Sequence, residues 1–312
     1  MTVYRKDVSL APCLHYRIGG KARYLAEVQS EQEIAAALLW ACERDLPFLV
    51  VGAGTNMLVS ERGYDGLIIR MTGKEIVPEA RGVRFSAGTP LADAVDFFTA
   101  NGFGDLSWAG GLPGTVGGAV FGNAGCFGRE MRECVVEVDS LACDGASHTV
   151  EPRVRSGSEC AFAYRGSLFK CRGEIITSVL IKATPGDAAA ARAEAQEHID
   201  YRLRFQPLDF PCAGSTFKNV PLATVSKEVG RVFAGVIKID PLPVIPAAAI
   251  LDRLGLKGRR IGGAEISAKH PNFFINRDRA SFADITGLIA LAKRAAWRCY
   301  GIALEEEVQI VN

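Results

Sequence analysis

The sequence predicts an α+β protein of two or three packed units. Its N-terminal part alternates apolar strand-like runs with a helix, its middle alternates short β-type runs with polar turns, and its last third carries two capped helices and a closing strand. At 312 residues and 33.5 kDa the chain exceeds what one small core needs.

In chain order, Ser30 and Glu33 form a capping box ahead of a helix from Ile34 to Cys42, and Leu46 to Val51 follows as a strand. Leu67 to Met71 and Val83 to Ser86 are the next strands. Thr89 and Pro90 supply the N-cap and first position of a helix closed by Gly102. From Cys134 to about Ala183, Val135 to Val138 and Glu174 to Lys182 read as strands of an antiparallel layer. Pro185 to Asp187 break it. The alanine-rich run from Ala188 to Leu203 is a helix ending near Gln206 and Pro207, which places a unit boundary near residue 200. Pro246 opens a further helix that stops at Gly255. Ser281 caps another, with Ile285, Leu288, Ile289 and Ala292 on one face, and Gly301 ends it. In a last strand from Leu304 to Val311, Leu304, Val308 and Ile310 share one face, and Glu305, Glu307 and Gln309 the other.

Composition excludes several function classes. Lys and Arg number 36 against 35 Asp and Glu, so the net charge of +1 creates no field favouring nucleic acid or an acidic membrane. The N-terminus is charged at once and leads into no apolar run of signal-peptide type, so a soluble cytoplasmic protein is expected. Nine scattered cysteines with no Cys-x-x-Cys pair read as reduced thiols and hold no metal site. Four histidines, of which His148 and His198 lie in polar segments, leave little for metal or histidine chemistry.

Two glycine-dense stretches stand out. Gly52, Ala53, Gly54, Thr55 and Asn56 follow a strand and precede the apolar Met57, so a tight turn and a pyrophosphate cradle both fit; no helix follows, which argues against a Rossmann unit. Gly110, Gly111, Gly114, Gly117 and Gly118 crowd a second stretch that runs through Pro113 and Thr115 to Ala119 and on to Asn123, Ala124 and Gly125. So many glycines are costly unless backbone approaches something closely, whether a ligand or another part of the chain. Arg165, Ser215 and Glu307 are candidates for chemistry, though each taken alone reads first as a surface or structural residue. Ser215 has no nucleophile elbow around it.

These residues, in this order, resemble those of the UDP-N-acetylenolpyruvoylglucosamine reductase family, also called UDP-N-acetylmuramate dehydrogenases. The matching stretches are Tyr16 to Gly20, Val51 to Val59, Ala109 to Ala119 with Asn123 to Gly125, and Tyr164 with Arg165. They continue through Gln206 with Pro207, Ala213 to Asn219, Gly255 to Gly258, Lys269 to Phe273 and Leu304 to Val308. The resemblance runs nearly end to end. It implies an FAD-binding fold of the vanillyl-alcohol-oxidase/PCMH type, with subdomains over 1–72 and 73–199 and a substrate-binding α+β domain over 200–312. NADPH would reduce the flavin, which would reduce UDP-N-acetylglucosamine enolpyruvate to UDP-N-acetylmuramate in peptidoglycan synthesis.

By the same resemblance, Ser215 is the proton donor to the substrate carbon, and Arg165 and Glu307 hold the substrate carboxylate and its enol-type intermediate. The run Glu305 to Glu307 leaves the register of that last residue open. Gly52 to Met57, Gly111, Pro113, Gly114, Thr115, Gly117, Gly118, Ala119, Asn123, Ala124 and Gly125 would hold FAD. Tyr164, Lys218, Asn219, Lys269 and His270 would face the UDP-sugar. A monomer acting on small molecules, with neither nucleic-acid nor membrane partners, is expected. The alternatives are a flavin oxidoreductase of the same fold with another substrate and a non-catalytic nucleotide-binding protein. Phe205 stands where the family often has lysine, Ala53 replaces a common glycine, and the stretch 220–245 is long.

Overall fold

The computed structural model describes residues 2–144, 149–239 and 242–312; His148 lies outside them. In chain order the strands and helices are β1 (Arg5–Ser9), β2 (Lys21–Val28), α1 (Glu31–Cys42), β3 (Phe48–Val51), β4 (Met57–Val59), β5 (Tyr64–Met71), β6 (Ile76–Glu79), β7 (Gly82–Ser86) and α2 (Leu91–Ala100). Then come α3 (Val116–Phe121), β8 (Gly125–Cys126), β9 (Arg129–Glu130), β10 (Val135–Asp144), β11 (Thr149–Ser156), α4 (Leu168–Arg172), β12 (Ile175–Ile181) and α5 (Ala188–Phe205). The rest are β13 (Cys212–Ser215), β14 (Val220–Pro221), α6 (Lys227–Val232), β15 (Lys238–Ile239), β16 (Pro243–Ile245), α7 (Ala247–Arg253), β17 (Arg260–Ile261), β18 (Ala264–Ile266), β19 (Phe273–Asn276), α8 (Phe282–Tyr300) and β20 (Gln309–Val311).

Two compact units result. The first holds the residues up to Val8, Lys21–Ala53 and Tyr64–Tyr201; the second holds Ser9–Gly20, Gly54–Gly63 and Arg202–Asn312. The boundary expected near residue 200 falls within α5. Two short N-terminal segments that the sequence had assigned to the first part pack with the last third instead. Nor do 1–72 and 73–199 have separate interiors: Leu38 and Leu67 share one core with Phe85, Phe98, Trp108 and Phe169.

In the first unit a four-stranded sheet has the order β1-β2-β5-β3, with β2 and β3 both parallel to β5. The capping box appears in altered form. Ser30 Oγ accepts from the Glu33 N–H, but Glu33 reaches back to the N–H of Gln29, one residue before the cap. A five-stranded sheet, β11-β10-β12-β7-β6, is antiparallel throughout, as the alternation of β-runs and turns implies. At α2 the cap position belongs to Pro90, while Thr89 turns its hydroxyl to the carbonyl of Glu75.

In the second unit the sheet β13-β19-β18-β17 packs under α8, whose Ile285, Leu288, Ile289 and Ala292 are buried. The expected closing strand is shorter than its pattern: Gln309–Val311 pairs with β4, while Glu306 makes an isolated antiparallel bridge to Phe217. Leu304 and Val308 are buried nonetheless, and Glu305 is exposed. Of the long stretch 220–245, whose residues 240 and 241 lie outside the described ones, the rest contributes a small sheet, β14-β16-β15, and buries Phe233 against Tyr300 at 5.1 Å between ring centroids.

Ser281 and Asp284 close α8 with a reciprocal capping box, and Asp284 also accepts from the Gly263 N–H. Ser281→Ala is expected to lower stability by about 1 kcal/mol, read from the urea midpoint.

Candidate active site

In the first unit, Thr115 caps α3 by accepting from the Gly118 N–H at 3.2 Å, so the hydroxyl expected at a ligand serves the backbone first. The glycine stretch lies along the chain after β7: Val116 donates to the Thr89 carbonyl and Gly117 to that of Ala87. A Cβ on Gly117 would sit 2.6 Å from that of Ala87, and one on Gly52 would sit 2.5 Å from Thr115 Oγ1. These two glycines are therefore required by chain packing, whatever they bind.

Other backbone groups in these runs are unspent. Among the described residues, the N–H groups of Gly111, Gly114 and Thr115, and those from Gly52 to Asn56, donate to no protein acceptor. Clusters of such donors suit an anion, and a diphosphate most of all. The residues present therefore fit FAD by their donor chemistry.

Asn123 has a different occupation. Its amide donates to the Ala163 carbonyl at 2.9 Å and to both oxygens of Glu130 at 3.3 Å, while its Oδ1 accepts from the Arg132 N–H. It is fully buried and holds the loop, with Ala124 bonded back to Ala119. Gly125 opens the β8–β9 hairpin, where an added Cβ would lie 3.3 Å from the Arg165 guanidinium. Arg165 itself has φ 54°, a left-handed conformation that a non-glycine residue adopts at a cost. A bridge between Ala163 and Gly166 enforces the turn, Lys170 Nζ donates to the Arg165 carbonyl at 2.9 Å, and the guanidinium stands 5.0 Å from the Tyr164 ring centroid.

In the second unit, Ser215 ends β13 opposite Phe273, after an irregularity in which Gly214 takes φ 71°. Such a bulge re-aims the next side chain. The following turn is clamped by Asn272: its carbonyl accepts from Thr216, its Oδ1 accepts from the Phe217 N–H at 3.0 Å, and its Nδ2 donates to the Phe217 carbonyl at 2.8 Å. The Thr216 carbonyl in turn accepts from the Glu307 N–H at 2.8 Å. Asn56 completes the arrangement, donating to the Glu307 carbonyl at 3.2 Å while its own carbonyl accepts from Gln309. Asn56, Ser215 and Glu307 are thus brought together from three distant stretches. Met57, next to Asn56 in sequence, starts β4 and is buried.

The three glutamates separate by their partners. Glu305 pairs with Lys218 at 3.2 Å, Glu306 with Lys293 at 2.8 Å, and Glu307 has its N–H tied to the serine turn and its carbonyl to Asn56. Asn219 Oδ1 caps α7 by accepting from Ala247, and Lys269 Nζ donates to the Leu203 carbonyl at 2.7 Å. Ser267 Oγ accepts from the N–H groups of Lys269 and His270. The His270 ring packs edge-on against Phe273, its Nδ1 buried; burial, with Lys238 and Lys257 adding to it, pushes its pKa down to about 4.

Sequence reasoning missed Asn272 as a site-shaping residue. Its signal was present: an asparagine after proline in a short polar run between two apolar segments marks a turn. Which backbone it would clamp was not readable.

Asn272→Ala would strand a buried N–H and C=O of Phe217, so a loss of about 2–4 kcal/mol is expected in chemical denaturation. His270 sets a pH dependence. It stays neutral when folded but protonates near its ordinary 6.5 when unfolded, so its contribution is complete above pH 6.5 and falls away toward pH 4. Stability should drop by roughly 2–3 kcal/mol over that window, and His270→Gln should flatten the drop.

Residues 206–311 match the model of the UDP-N-acetylenolpyruvoylglucosamine reductase C-terminal domain, and residues 22–151 match an FAD binding domain. A UDP-N-acetylenolpyruvoylglucosamine reductase of Chloroflexus aurantiacus is 36% identical over 100% of the chain and 98% of its own length. One from Synechococcus sp. (strain JA-3-3Ab) is 34% identical over 98% and 90%. The solved UDP-N-acetylenolpyruvylglucosamine reductase of Thermus caldophilus superposes with a TM-score of 0.79 at 27% identity, covering all of both chains. The fold is the PCMH-type FAD-binding fold followed by a C-terminal α+β domain. With relatives this similar over nearly its whole length, the chain belongs to the UDP-N-acetylenolpyruvoylglucosamine reductase family.

Proposed function

We propose that Arg165, Ser215 and Glu307 carry the reduction of UDP-N-acetylglucosamine enolpyruvate to UDP-N-acetylmuramate in this chain. The reaction is a step of peptidoglycan synthesis, uses FAD and draws on NADPH. Bound FAD supplies the hydride, taken from NADPH and given to the β-carbon of the enolpyruvyl group. The residues of the chain do the rest. Hydride arrival pushes negative charge toward the α-carbon and carboxylate, where the fixed Arg165 guanidinium has its greatest effect in a site that excludes water. Ser215 Oγ then gives its proton to the α-carbon. Serine is a poor acid, so the basicity of the carbon and nearby positive charge must drive that transfer; Lys218 and Arg165 are the helpers. Glu307 acts on the carboxylate through a shared proton.

The observation that carries this reading is the Glu307 N–H bonded to the Thr216 carbonyl, because it fixes the serine turn and the carboxylate-bearing segment in one register. The left-handed Arg165 supports it, since backbone strain of this kind persists where the surroundings over-determine a side chain's direction.

For the cofactor, the unspent N–H groups of Gly52, Ala53, Gly54, Thr55 and Asn56, with those of Gly111, Gly114 and Thr115, are the proposed diphosphate donors. Pro113, Gly117, Gly118, Ala119, Asn123, Ala124 and Gly125 shape that surface, and Met57 anchors the first run. For the substrate, Lys218 is the proposed phosphate ligand. Its pairing with Glu305 is a surface ion pair and is cheap to exchange. Lys269 has three donors, of which Leu203 engages one. Asn219, Tyr164 and a neutral His270 complete the set. The reading includes a cytoplasmic monomer with small-molecule partners only; among the described residues, no helix is long and apolar enough to cross a membrane.

Stopped-flow spectroscopy tests the roles. Ser215→Ala is expected to leave bleaching of the yellow protein by NADPH nearly intact and to slow recovery of colour on adding the enolpyruvyl substrate by about 10³-fold or more. Equal loss in both half-reactions would remove Ser215 from the role of proton donor.

A further inference from the structure

Cys42 is the last residue of α1, and Cys143 lies next to the end of β10. They are 101 residues apart in sequence, yet their Sγ atoms stand 2.7 Å apart, and both residues are half-buried. A disulfide needs about 2.05 Å between its sulfurs, so a small side-chain adjustment brings this pair to bonding distance. Four other cysteines differ. Burial raises the thiol pKa of Cys134 to about 12 and of Cys160 to about 11, each with its S–H spent on a backbone carbonyl. Cys171 and Cys299 are exposed.

We propose that Cys42 and Cys143 are a redox modification site, closing reversibly to a disulfide on reaction with a small-molecule disulfide such as oxidised glutathione. One cysteine, as its thiolate, attacks the reagent; the reagent's S–S bond breaks, a mixed disulfide forms and one small thiol leaves with a proton. The second cysteine then displaces the other small thiol, which takes the remaining proton. Two protein S–H bonds and one reagent S–S bond become one protein S–S bond and two small thiols. The protein is oxidised by two electrons and the reagent is reduced by two.

The bond staples the C-terminal end of α1, whose Ile34, Ala37, Leu38 and Ala41 lie in the core shared with β2 and β5, to a strand of the antiparallel sheet. Because it closes a long loop, it restricts the unfolded chain more than the folded one. The oxidised protein therefore resists unfolding.

The experiment treats the folded, FAD-loaded protein with oxidised glutathione, alkylates the remaining thiols and maps non-reduced peptides by mass spectrometry. The expected result is a Cys42–Cys143 linked peptide, loss of two of the nine thiols, and a thermal midpoint raised by roughly 5 °C, all reversed by dithiothreitol. Cys42→Ser and Cys143→Ser should each abolish the shift, while Cys171→Ser, at an exposed position, should keep it. Recovery of the two cysteines singly alkylated or glutathionylated, or linkage only in denaturant, would overturn the proposal.

Discussion

The bond from the Glu307 N–H to the Thr216 carbonyl is the constraint on which the second unit's site depends. Thr216 is held on its other side by Asn272, whose side chain closes both backbone groups of Phe217. The turn after Ser215 is therefore defined by hydrogen bonds on both flanks, and its buried polar groups have few alternatives. Asn56 extends the same register to a third segment. Ser215 and the carboxyl group of Glu307 gain their relative placement from backbone geometry, which does not need either side chain to be intact.

The glycines divide into two kinds once their surroundings are seen. Gly52 and Gly117 are small because the chain passes itself within contact distance, with Thr115 and Ala87 where a Cβ would go. Gly111 and Gly114 instead contribute N–H groups that, among the described residues, no acceptor takes. Both kinds lie in one stretch, and counting glycines does not tell them apart. Thr115 shows the same doubling, since its hydroxyl organises the α3 terminus while its N–H remains available.

Lysine placement around the glutamate run illustrates how charge resolves a register. Lys218 and Lys293 each take one of the first two carboxylates, so the repetition Glu305 to Glu307, ambiguous as letters, becomes three different environments. Ion pairs at half-exposed positions add little stability. Here their consequence is that Glu305 and Glu306 each have a lysine partner.

Local order was legible in the residues themselves: the Ser281 cap, the Gly301 stop, the apolar face of α8 and the antiparallel middle layer all follow from short-range sterics and burial periodicity. So was the presence of two backbone-rich stretches. Tertiary structure alone decided that residues 9–20 and 54–63 pack with the last third, that 1–72 and 73–199 share a core, that Asn272 clamps the serine turn, and that Cys42 meets Cys143. Those outcomes depend on contacts between residues far apart in sequence, and periodicity carries no information about which distant surfaces will exclude water together.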